Sequence, residues 1–245
     1  MTFHILTLFP EVFESYLSSS IIGRTIREGK VKVSLINFRD FSTDKHRKVD
    51  DTTYGGGAGM VLQCEPLYKA IKSVIHEESK LIFFTPQGGV FNQKKAVELS
   101  TEKEIILVCG FYEGFDCRIF QSFNHEKLSI GDYILTNGGL AALTLLDCVV
   151  RIRDNVLNNC DSIVEESFSD GLLEYDQFTK PSSFLKLNVP DVLLSGHHKM
   201  IERWRRESSL INTINNRPDL IEKGVLSMDD IEFLISYIEE KPDDN

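Results

Sequence analysis

Short apolar runs recur along the chain up to Arg153 and alternate with segments of helical periodicity. Runs of this length, bounded by glycine, proline or polar residues, predict buried parallel strands. The predicted strands are Phe3–Phe9, Lys32–Phe38, Lys80–Phe84, Glu104–Val108 and Leu128–Leu135. The predicted helices are Glu11–Ser18, Leu67–Glu77, Lys94–Ser100 and Leu140–Val150. This alternation is typical of an α/β fold with a mostly parallel sheet.

The pattern changes after Arg153. The segment Asp154–Ser167 is polar and has no periodicity, which is typical of a linker or a lid. Beyond it the strand signals stop, Lys199–Ile214 has helical spacing, and Ser227 to Asp230 resembles a capping box that opens another helix. We therefore predict a first domain over residues 1–156, a linker or lid over 157–167 and a small α-helical domain over 168–245.

Three of the predicted strands end in glycine-bearing loops. The first loop is Thr85–Gly89 and the second is Cys109–Gly114; the third strand is broken at Gly131-Asp132 and turns at Asn137–Gly139. Ligands of open α/β sheets bind at the carboxyl ends of the strands, and glycine lets a backbone approach a ligand closely. The three loops therefore predict a composite small-molecule site. No GxGxxG motif follows the first strand, so a Rossmann-type cofactor site is not indicated.

A fourth glycine-rich segment, Gly55–Gly59, follows a highly charged stretch, Arg39–Tyr54. No Lys-Ser/Thr pair follows the glycines, which excludes a P-loop. Two interpretations remain open from the pattern alone, a loop that cradles phosphate and a flexible connector.

Composition narrows the class of protein. Hydrophobic residues make up 42% and charged residues 26% of the chain, which are ordinary values for a globular protein. A formal net charge of −10 argues against a general nucleic-acid coat protein, although it leaves room for a local basic face. None of the five cysteines forms a CxxC pair, so we expect reduced thiols in a cytoplasmic protein and no zinc site. The cysteines are Cys64, Cys109, Cys117, Cys148 and Cys160.

Seven motifs, in order and nearly without gaps between Leu8 and Arg217, resemble the bacterial tRNA (guanine-N1-)-methyltransferases. They are DKHRKVDDTTYGGGAGM, TPQGG, LVCGFYEGFD, SIGDYIL, ESFSDGLL, TKPSSF and VLLSGHHKMIERWR. The resemblance implies a deep trefoil-knot (SPOUT-class) methyltransferase, in which the three loops form the knot in the carboxyl-terminal part of the first domain. It also implies a homodimer with shared active sites, and S-adenosylmethionine as the methyl donor for N1 of guanosine 37 in the tRNA anticodon stem-loop. A magnesium requirement is a trait of this family and is therefore also implied by the resemblance, but no residue cluster in the sequence indicates a metal site.

The resemblance assigns the cofactor to loops of the first domain and one residue of the second. The implied cofactor-binding residues are Phe83, Phe84, Thr85, Pro86, Gln87, Gly110, Tyr112, Glu113, Ser129, Ile130, Gly131, Asp132, Tyr133, Ile134, Leu135, Gly138 and Glu174. Glu174 stands where the family has an aspartate near the methionine amine.

Methylation of guanine N1 requires a base, because the N1–H group is not a nucleophile. Removal of the proton spreads negative charge onto O6, which an arginine can stabilise. By resemblance the arginine is Arg151 and the base is Glu166, where the family has an aspartate. Glutamate keeps the carboxylate and adds one methylene; Asp161 and Glu165 are the alternative bases in the same segment.

Candidate tRNA contacts are basic clusters and two turns. The cluster Lys45–Lys48 and the helical Arg203, Arg205 and Arg206 are suited to phosphate; the competing interpretation is solvated surface charge. The residues assigned to the RNA are His46, Gly59, Ser162, Ser195, Gly196, His197 and Arg203.

The sequence departs from the family pattern near the cofactor loops. Phe111 replaces an arginine, Ala58 a proline, and Asn137-Gly138-Gly139-Leu140-Ala141 stands in place of Gly-Gly-Glu-Leu-Pro. These departures motivate an alternative function, a knot-fold protein that binds tRNA or cofactor without catalysis. A third reading keeps the chemistry and places the methyl group at another RNA position.

Overall fold

The structure, a computed structural model, describes residues 1–153, 156, 166–222 and 224–240. The chain divides into two compact units, Met1–Asn158 and Asn159–Asn245.

The first unit is built on a five-stranded sheet in the order β2-β1-β6-β5-β7, in which every pairing is parallel. Its strands are β1 (Thr2–Thr7), β2 (Lys32–Asn37), β5 (Lys80–Val90), β6 (Glu104–Val108) and β7 (Glu126–Ser129), and β3 (Asp50–Thr52) pairs separately with β4 (Met60–Leu62). Its helices are α1 (Glu11–Ser18), α2 (Ser20–Arg27), α3 (Cys64–Lys72), α4 (Gln93–Ser100), α5 (Arg118–Gln121) and α6 (Gly139–Ile152), with a 3-10 turn at Phe38–Phe41.

Both faces of the sheet are covered by helices. Side chains alternate along each strand, so Ile105 and Leu107 pack towards α1, α4 and α6, whereas Ile106 and Val108 pack towards α3 and α5. Strands buried on both faces must be almost continuously apolar, which explains the unbroken hydrophobic runs in the sequence. The predicted α/β class with a mostly parallel sheet is confirmed.

Two predicted elements of the first unit have different bounds. The helix predicted from Leu67 to Glu77 begins at Cys64 and ends at Lys72, since Pro66 fits the first turn as well as it fits the first position. The strand predicted to reach Leu135 ends at Ser129, because Gly131 turns the chain with a positive φ of 150°. The residues after Ser129 form a loop.

The second unit is mainly helical. Its helices are α7 (Asp191–Leu194), α8 (His198–Asn216), α9 (Pro218–Ile221) and α10 (Met228–Glu240). Leu172, Leu210 and Leu234 form its core. The expectation that strand signals stop after the linker was wrong in one place. There β8 (Ser183–Phe184) and β9 (Leu187–Asn188) form an antiparallel hairpin with two residues in each strand.

Candidate functional site

A cavity of about 280 Å³ lies at the carboxyl ends of β5, β6 and β7. Its volume is near the lower end of the range for ligand pockets, about 300–1,000 Å³. All three glycine-bearing loops contribute to its wall. The lining residues that the sequence assigned to the cofactor are Phe84, Thr85, Pro86, Gln87, Gly110, Tyr112, Glu113, Ser129, Ile130, Gly131, Tyr133, Ile134, Leu135 and Gly138.

Two residues of the first unit that were assigned to the cofactor do not line the cavity. Phe83 is fully buried behind it, with its ring 5.3 Å from Phe115 and 5.1 Å from Phe120. Asp132 is exposed at the turn that follows Gly131. Phe83 therefore supports the cavity wall through Phe115 and Phe120, both of which do line it.

Other lining residues, most of them apolar, were not among the residues assigned to the cofactor. They are Phe111, Gly114, Phe115, Cys117, Phe120, Leu128, Thr136, Asn137 and Ala141. Several belong to an aromatic wall, in which Phe111 contacts Phe9 with ring centroids 4.9 Å apart and Tyr112 with centroids 4.3 Å apart. Their contribution to the wall depends on ring contacts that only the folded loops create.

The second and third loops are bonded to each other. The Gly138 N–H donates to the Gly110 carbonyl at 2.9 Å, and Phe111 pairs with Asn137 as an antiparallel bridge. A Cβ on Gly138 would lie 2.8 Å from the Cys109 Cα, so no other residue fits at this approach without displacement. The close contact explains why glycine occupies this position.

The first loop is a bulge in β5. Phe84 and Gly89 both pair with Leu128 of β7, and the residues between them leave the ladder and line the cavity. Bulges are frequent beside functional sites because they redirect the backbone. The three loops thus form one wall, held by main-chain contacts rather than by side-chain charges.

The glycine-rich segment Gly55–Gly59 connects β3 to β4 and lies next to this wall. The Glu113 N–H donates to the Met60 carbonyl at 3.0 Å, and the Leu62 N–H donates to the Gly114 carbonyl at 2.9 Å. A Cβ on Gly59 would lie 2.5 Å from the Glu113 Cγ. The segment is therefore the end of a hairpin attached to the cavity, and not a free connector.

The basic cluster beside this hairpin is held by Asp44. The backbone N–H groups of His46 and Lys48 donate to its Oδ1 at 2.7 and 3.2 Å, and these bonds lower the pKa of Asp44. The side chain of His46 is exposed. The turn leaves the imidazole facing solvent on the surface of the first unit.

Two further ionisable groups beside the cavity have structural environments. The Arg118 guanidinium holds the pKa of Asp116 well below its usual range, so this carboxylate stays ionised and is a weak base. Burial raises the pKa of the Cys109 thiol, which keeps it neutral and unreactive. Neither group is suited to general base catalysis.

Arg151 lies in the last turn of α6 and is partly buried. It does not line the cavity of its own unit, whereas Ala141 near the start of the same helix does. Because an α-helix rises about 1.5 Å per residue, about 15 Å of helix separates the two positions.

The assigned residues of the second unit fall into two groups. Glu166 is partly buried, and its carbonyl accepts from the Ser169 N–H at 3.1 Å in a turn. Glu174 is exposed, and its backbone is fixed, since its N–H donates to Ser167 Oγ at 3.0 Å and its carbonyl accepts from Asn212 Nδ2 at 3.1 Å. Ser162, Asp161 and Glu165 lie outside the described residues.

The second group is at the amino end of α8. Ser195, Gly196 and His197 form an exposed turn in which the His197 N–H donates to Ser195 Oγ at 3.1 Å. Arg203 is 80% exposed and donates to Glu207 at 2.7 Å. The side chain of Arg203 is thus accessible on the helix surface.

The two neighbouring arginines of α8 have other surroundings. Arg206 binds Asp230 and Asp170, so the expectation that it contacts phosphate conflicts with its role as an internal cation. The Arg205 guanidinium lies over the Tyr175 ring at 4.8 Å.

Within the described part of the chain, no group of three or more His, Cys, Asp or Glu residues converges as a metal site. The helices described there include none that is long and apolar enough to cross a membrane.

Comparisons with known proteins give one consistent result. The family model for tRNA (Guanine-1)-methyltransferase TrmD matches residues 1–223. A tRNA (guanine-N(1)-)-methyltransferase of Caldanaerobacter subterraneus subsp. tengcongensis is 50% identical over 235 residues, covering 96% of this chain and 97% of the relative. Proteins with the same description from Staphylococcus aureus (47% over 238 residues; 97% of each chain) and Dictyoglomus turgidum (48% over 230 residues; 94% of each chain) are also similar.

Proposed function

Because the chain belongs to the tRNA (guanine-1)-methyltransferase family, we propose that it transfers a methyl group from S-adenosylmethionine to N1 of guanosine 37 in tRNA. The observation that carries this proposal is the family match across residues 1–223 together with 50% identity to a methyltransferase over nearly the whole chain. A binding protein without catalysis is not favoured, because relatives with this degree of identity are named as enzymes.

The cavity of the first unit fits the proposed cofactor. S-adenosylmethionine, when bound, supplies an electrophilic methyl group on a positively charged sulfur. Gly110 and Gly138 allow the second and third loops to pack closely where they line the cavity, and the aromatic wall offers surface to an adenine ring. Glu113 adds a carboxylate suited to a cationic ligand.

For the chemical step we assign the base to Glu166. Its carboxylate takes the N1 proton of guanine, which leaves an electron pair on N1 for the methyl group that the bound cofactor would supply. Arg151 stabilises the negative charge that develops on O6. The backbone of Glu166 is held in a turn, in which its carbonyl accepts from the Ser169 N–H at 3.1 Å.

Arg151 supports a site shared between two copies of the chain. It lies at the opposite end of α6 from the cavity that its own unit forms, so we propose that Arg151 and Glu166 act at the cavity of a partner copy. An exposed apolar face around the outer side of α6 offers a surface for this dimer. It includes Tyr16, Tyr133, Ile134 and Leu140, with the partly buried Leu143 beside them.

The tRNA would lie along the hairpin loop and the second unit. We assign the contacts with tRNA phosphates to His46, Arg203 and their neighbours. Gly59 would lie close to the RNA near the guanosine, and Ser162 and the Ser195–His197 turn would make further contacts. A few such contacts on an acidic chain predict affinity that falls steeply with salt. We also propose a cytoplasmic location, since the four described cysteines carry free thiols.

A primer-extension assay tests the reaction. An N1-methyl group blocks Watson–Crick pairing, so reverse transcription of treated tRNA should stop one nucleotide before guanosine 37, and a transcript with adenosine 37 should give no stop. Absence of a stop on every guanosine-37 tRNA, with the cofactor bound, would contradict the activity. A stop elsewhere would move the target to another RNA position, and repetition with EDTA reports dependence on Mg²⁺.

Glu166→Gln tests the base. We expect kcat to fall at least about 100-fold, the usual contribution of a general base, while the Kd for S-adenosylhomocysteine stays unchanged. Glu165→Gln is the matched control and should retain activity. The assignment fails if Glu165→Gln is the inactive variant, or if both variants keep the wild-type rate.

A further inference from the structure

The turn between the cavity and α6 is closed by the side chain of Asn137. Its Oδ1 accepts from the Gly139 N–H at 2.8 Å, so the carboxamide binds one of the free amides at the start of the helix. The backbone of Asn137 pairs with Phe111, and the following residue, Gly138, donates to the Gly110 carbonyl at 2.9 Å. One residue thus links α6 to two loops of the cavity.

The space around Gly139 depends on this carboxamide. A Cβ on Gly139 would lie 2.8 Å from Asn137 Oδ1, a separation that real Cβ atoms do not show. Its other near neighbours, Val12 Cγ1 at 3.4 Å and Phe13 Cζ at 3.6 Å, are at ordinary contact distance. Only Asn137 therefore requires residue 139 to be glycine.

We propose that Asn137 is a positioning residue for the cofactor cavity, and that Gly139 is present because the Asn137 carboxamide occupies the place of its side chain. The bond to Gly139 fixes where α6 begins, and this holds Gly138 against Gly110. Gly138 fits at this approach because it has no Cβ, which would lie 2.8 Å from the Cys109 Cα. The identity of the ligand rests on the proposed function, whereas the coupling of the two residues does not.

A double-mutant cycle in the full-length protein tests the coupling. Gly139→Ala alone should displace the carboxamide and lower the melting temperature. In the Asn137→Ala background the same change should be neutral or raise the melting temperature, because alanine is the better helix former and no carboxamide is in its way. An equal effect of Gly139→Ala in both backgrounds overturns the coupling.

Cofactor kinetics test the positioning role. Asn137→Ala should raise the KM for S-adenosylmethionine and the Kd for S-adenosylhomocysteine by about tenfold, roughly the effect of losing one helix cap. The kcat at saturating cofactor and the KM for tRNA should stay within about twofold, since the cap contacts neither reacting group. Asn137→Asp keeps the accepting oxygen and should restore the Kd.

Asn92→Ala is the matched control, because it removes a comparable cap, in which Asn92 Oδ1 accepts from the Lys95 N–H of α4 at 3.0 Å, at an exposed residue that does not line the cavity. It should leave the Kd unchanged. Unchanged cofactor constants in Asn137→Ala overturn the positioning role. A wild-type protein that binds no S-adenosylhomocysteine overturns the proposed function instead, and the melting cycle then still decides whether Asn137 and Gly139 are coupled.

Discussion

Gly88 lies at the end of the bulge in β5, directly against the backbone of β7. A Cβ there would lie 2.5 Å from the Lys127 carbonyl carbon and would overlap the main chain of Leu128. The main chain of β5 and the main chain of β7 belong to paired strands, and neither can move aside as a flexible side chain can. The adjacent Gly89 has nothing within 4 Å of the same position.

Gly88→Ala should therefore destabilise the first unit by about 3 kcal/mol, the upper part of the range for overpacking, and weaken binding of S-adenosylhomocysteine. Gly89→Ala is the matched control and should change stability by less than about 1 kcal/mol. Urea unfolding followed by circular dichroism and calorimetric binding measure the two effects. Equal behaviour of the two variants would contradict the close crossing at Gly88.

At this scale the sequence predicted well where a residue type has one evident use. The glycines of the three loops were expected to allow close approach, and Gly110, Gly131 and Gly138 line the cavity. Phe83 was assigned to the ligand, but it lies behind the wall, because sequence spacing cannot tell which face of a strand points towards a loop. Contributions such as the cap by Asn137 depend on atoms brought together only by the fold.

Helix α10 shows how a short motif sets one end of an element. The predicted capping box is present: the Asp230 N–H donates to Ser227 Oγ at 3.2 Å, and the Ser227 N–H donates to Asp230 Oδ2 at 2.9 Å. The structure adds Arg206 of α8, which donates to both oxygens of Asp230 at 2.9 Å. The bond to Arg206 is the main cause that lowers the pKa of Asp230 to about 2.

Asp230→Asn should lower the free energy of unfolding of the second unit by about 2 kcal/mol at neutral pH. The folded-state pKa lies below the usual value, so this contribution is complete above about pH 4 and disappears as the pH falls through about 2. The difference between wild type and variant should shrink over that interval.

Trp204 is suited to this measurement, because it is the single tryptophan of the chain and belongs to α8. Its fluorescence during urea unfolding therefore reports on the second unit. Asp229→Asn, an exposed position in the first turn of the same helix, is the control and should have little effect. A pH-independent difference for Asp230→Asn would contradict the ion pair as its cause.

Other elements were beyond the sequence pattern. The hairpin β8–β9 turns through Leu185 and Lys186, both with positive φ, although such turns are usually made by Asn-Gly or Asp-Gly. Its strands are also too short to show alternation. The bulge in β5 was missed because Pro86 and two glycines are typical of a turn, whereas the strand resumes beyond them.

At the scale of the whole molecule, dimer formation follows from the proposed sharing of sites. Leu140 is 55% exposed on the apolar face of α6, and Val97 on α4 is similarly exposed at 50%. Leu140→Glu places a charge where we expect the partner copy and should convert a dimer into a monomer with little activity. Val97→Glu is the control and should remain dimeric and active.

Sedimentation velocity with parallel activity assays measures both properties. A wild-type protein that is monomeric and fully active would contradict the shared site.

The α/β class could be predicted because buried parallel strands are marked in the sequence by continuous apolar runs. The family resemblance agrees with the comparisons. Threading of the loops into a trefoil knot has no local signature in residue pattern, and it stays a prediction of the resemblance.

The order of strands in the sheet also determines when the chain can fold during translation. Strand β1 leaves the ribosome first, yet its second neighbour is β6, and Thr2 pairs with Glu104. Until β6 has been synthesised, β1 pairs only with β2 and its other edge is open. An unpaired strand edge carries a risk of aggregation. The sheet is therefore completed around β1 only after β6 has been synthesised, and the cavity can assemble only when synthesis has reached Ala141 in α6.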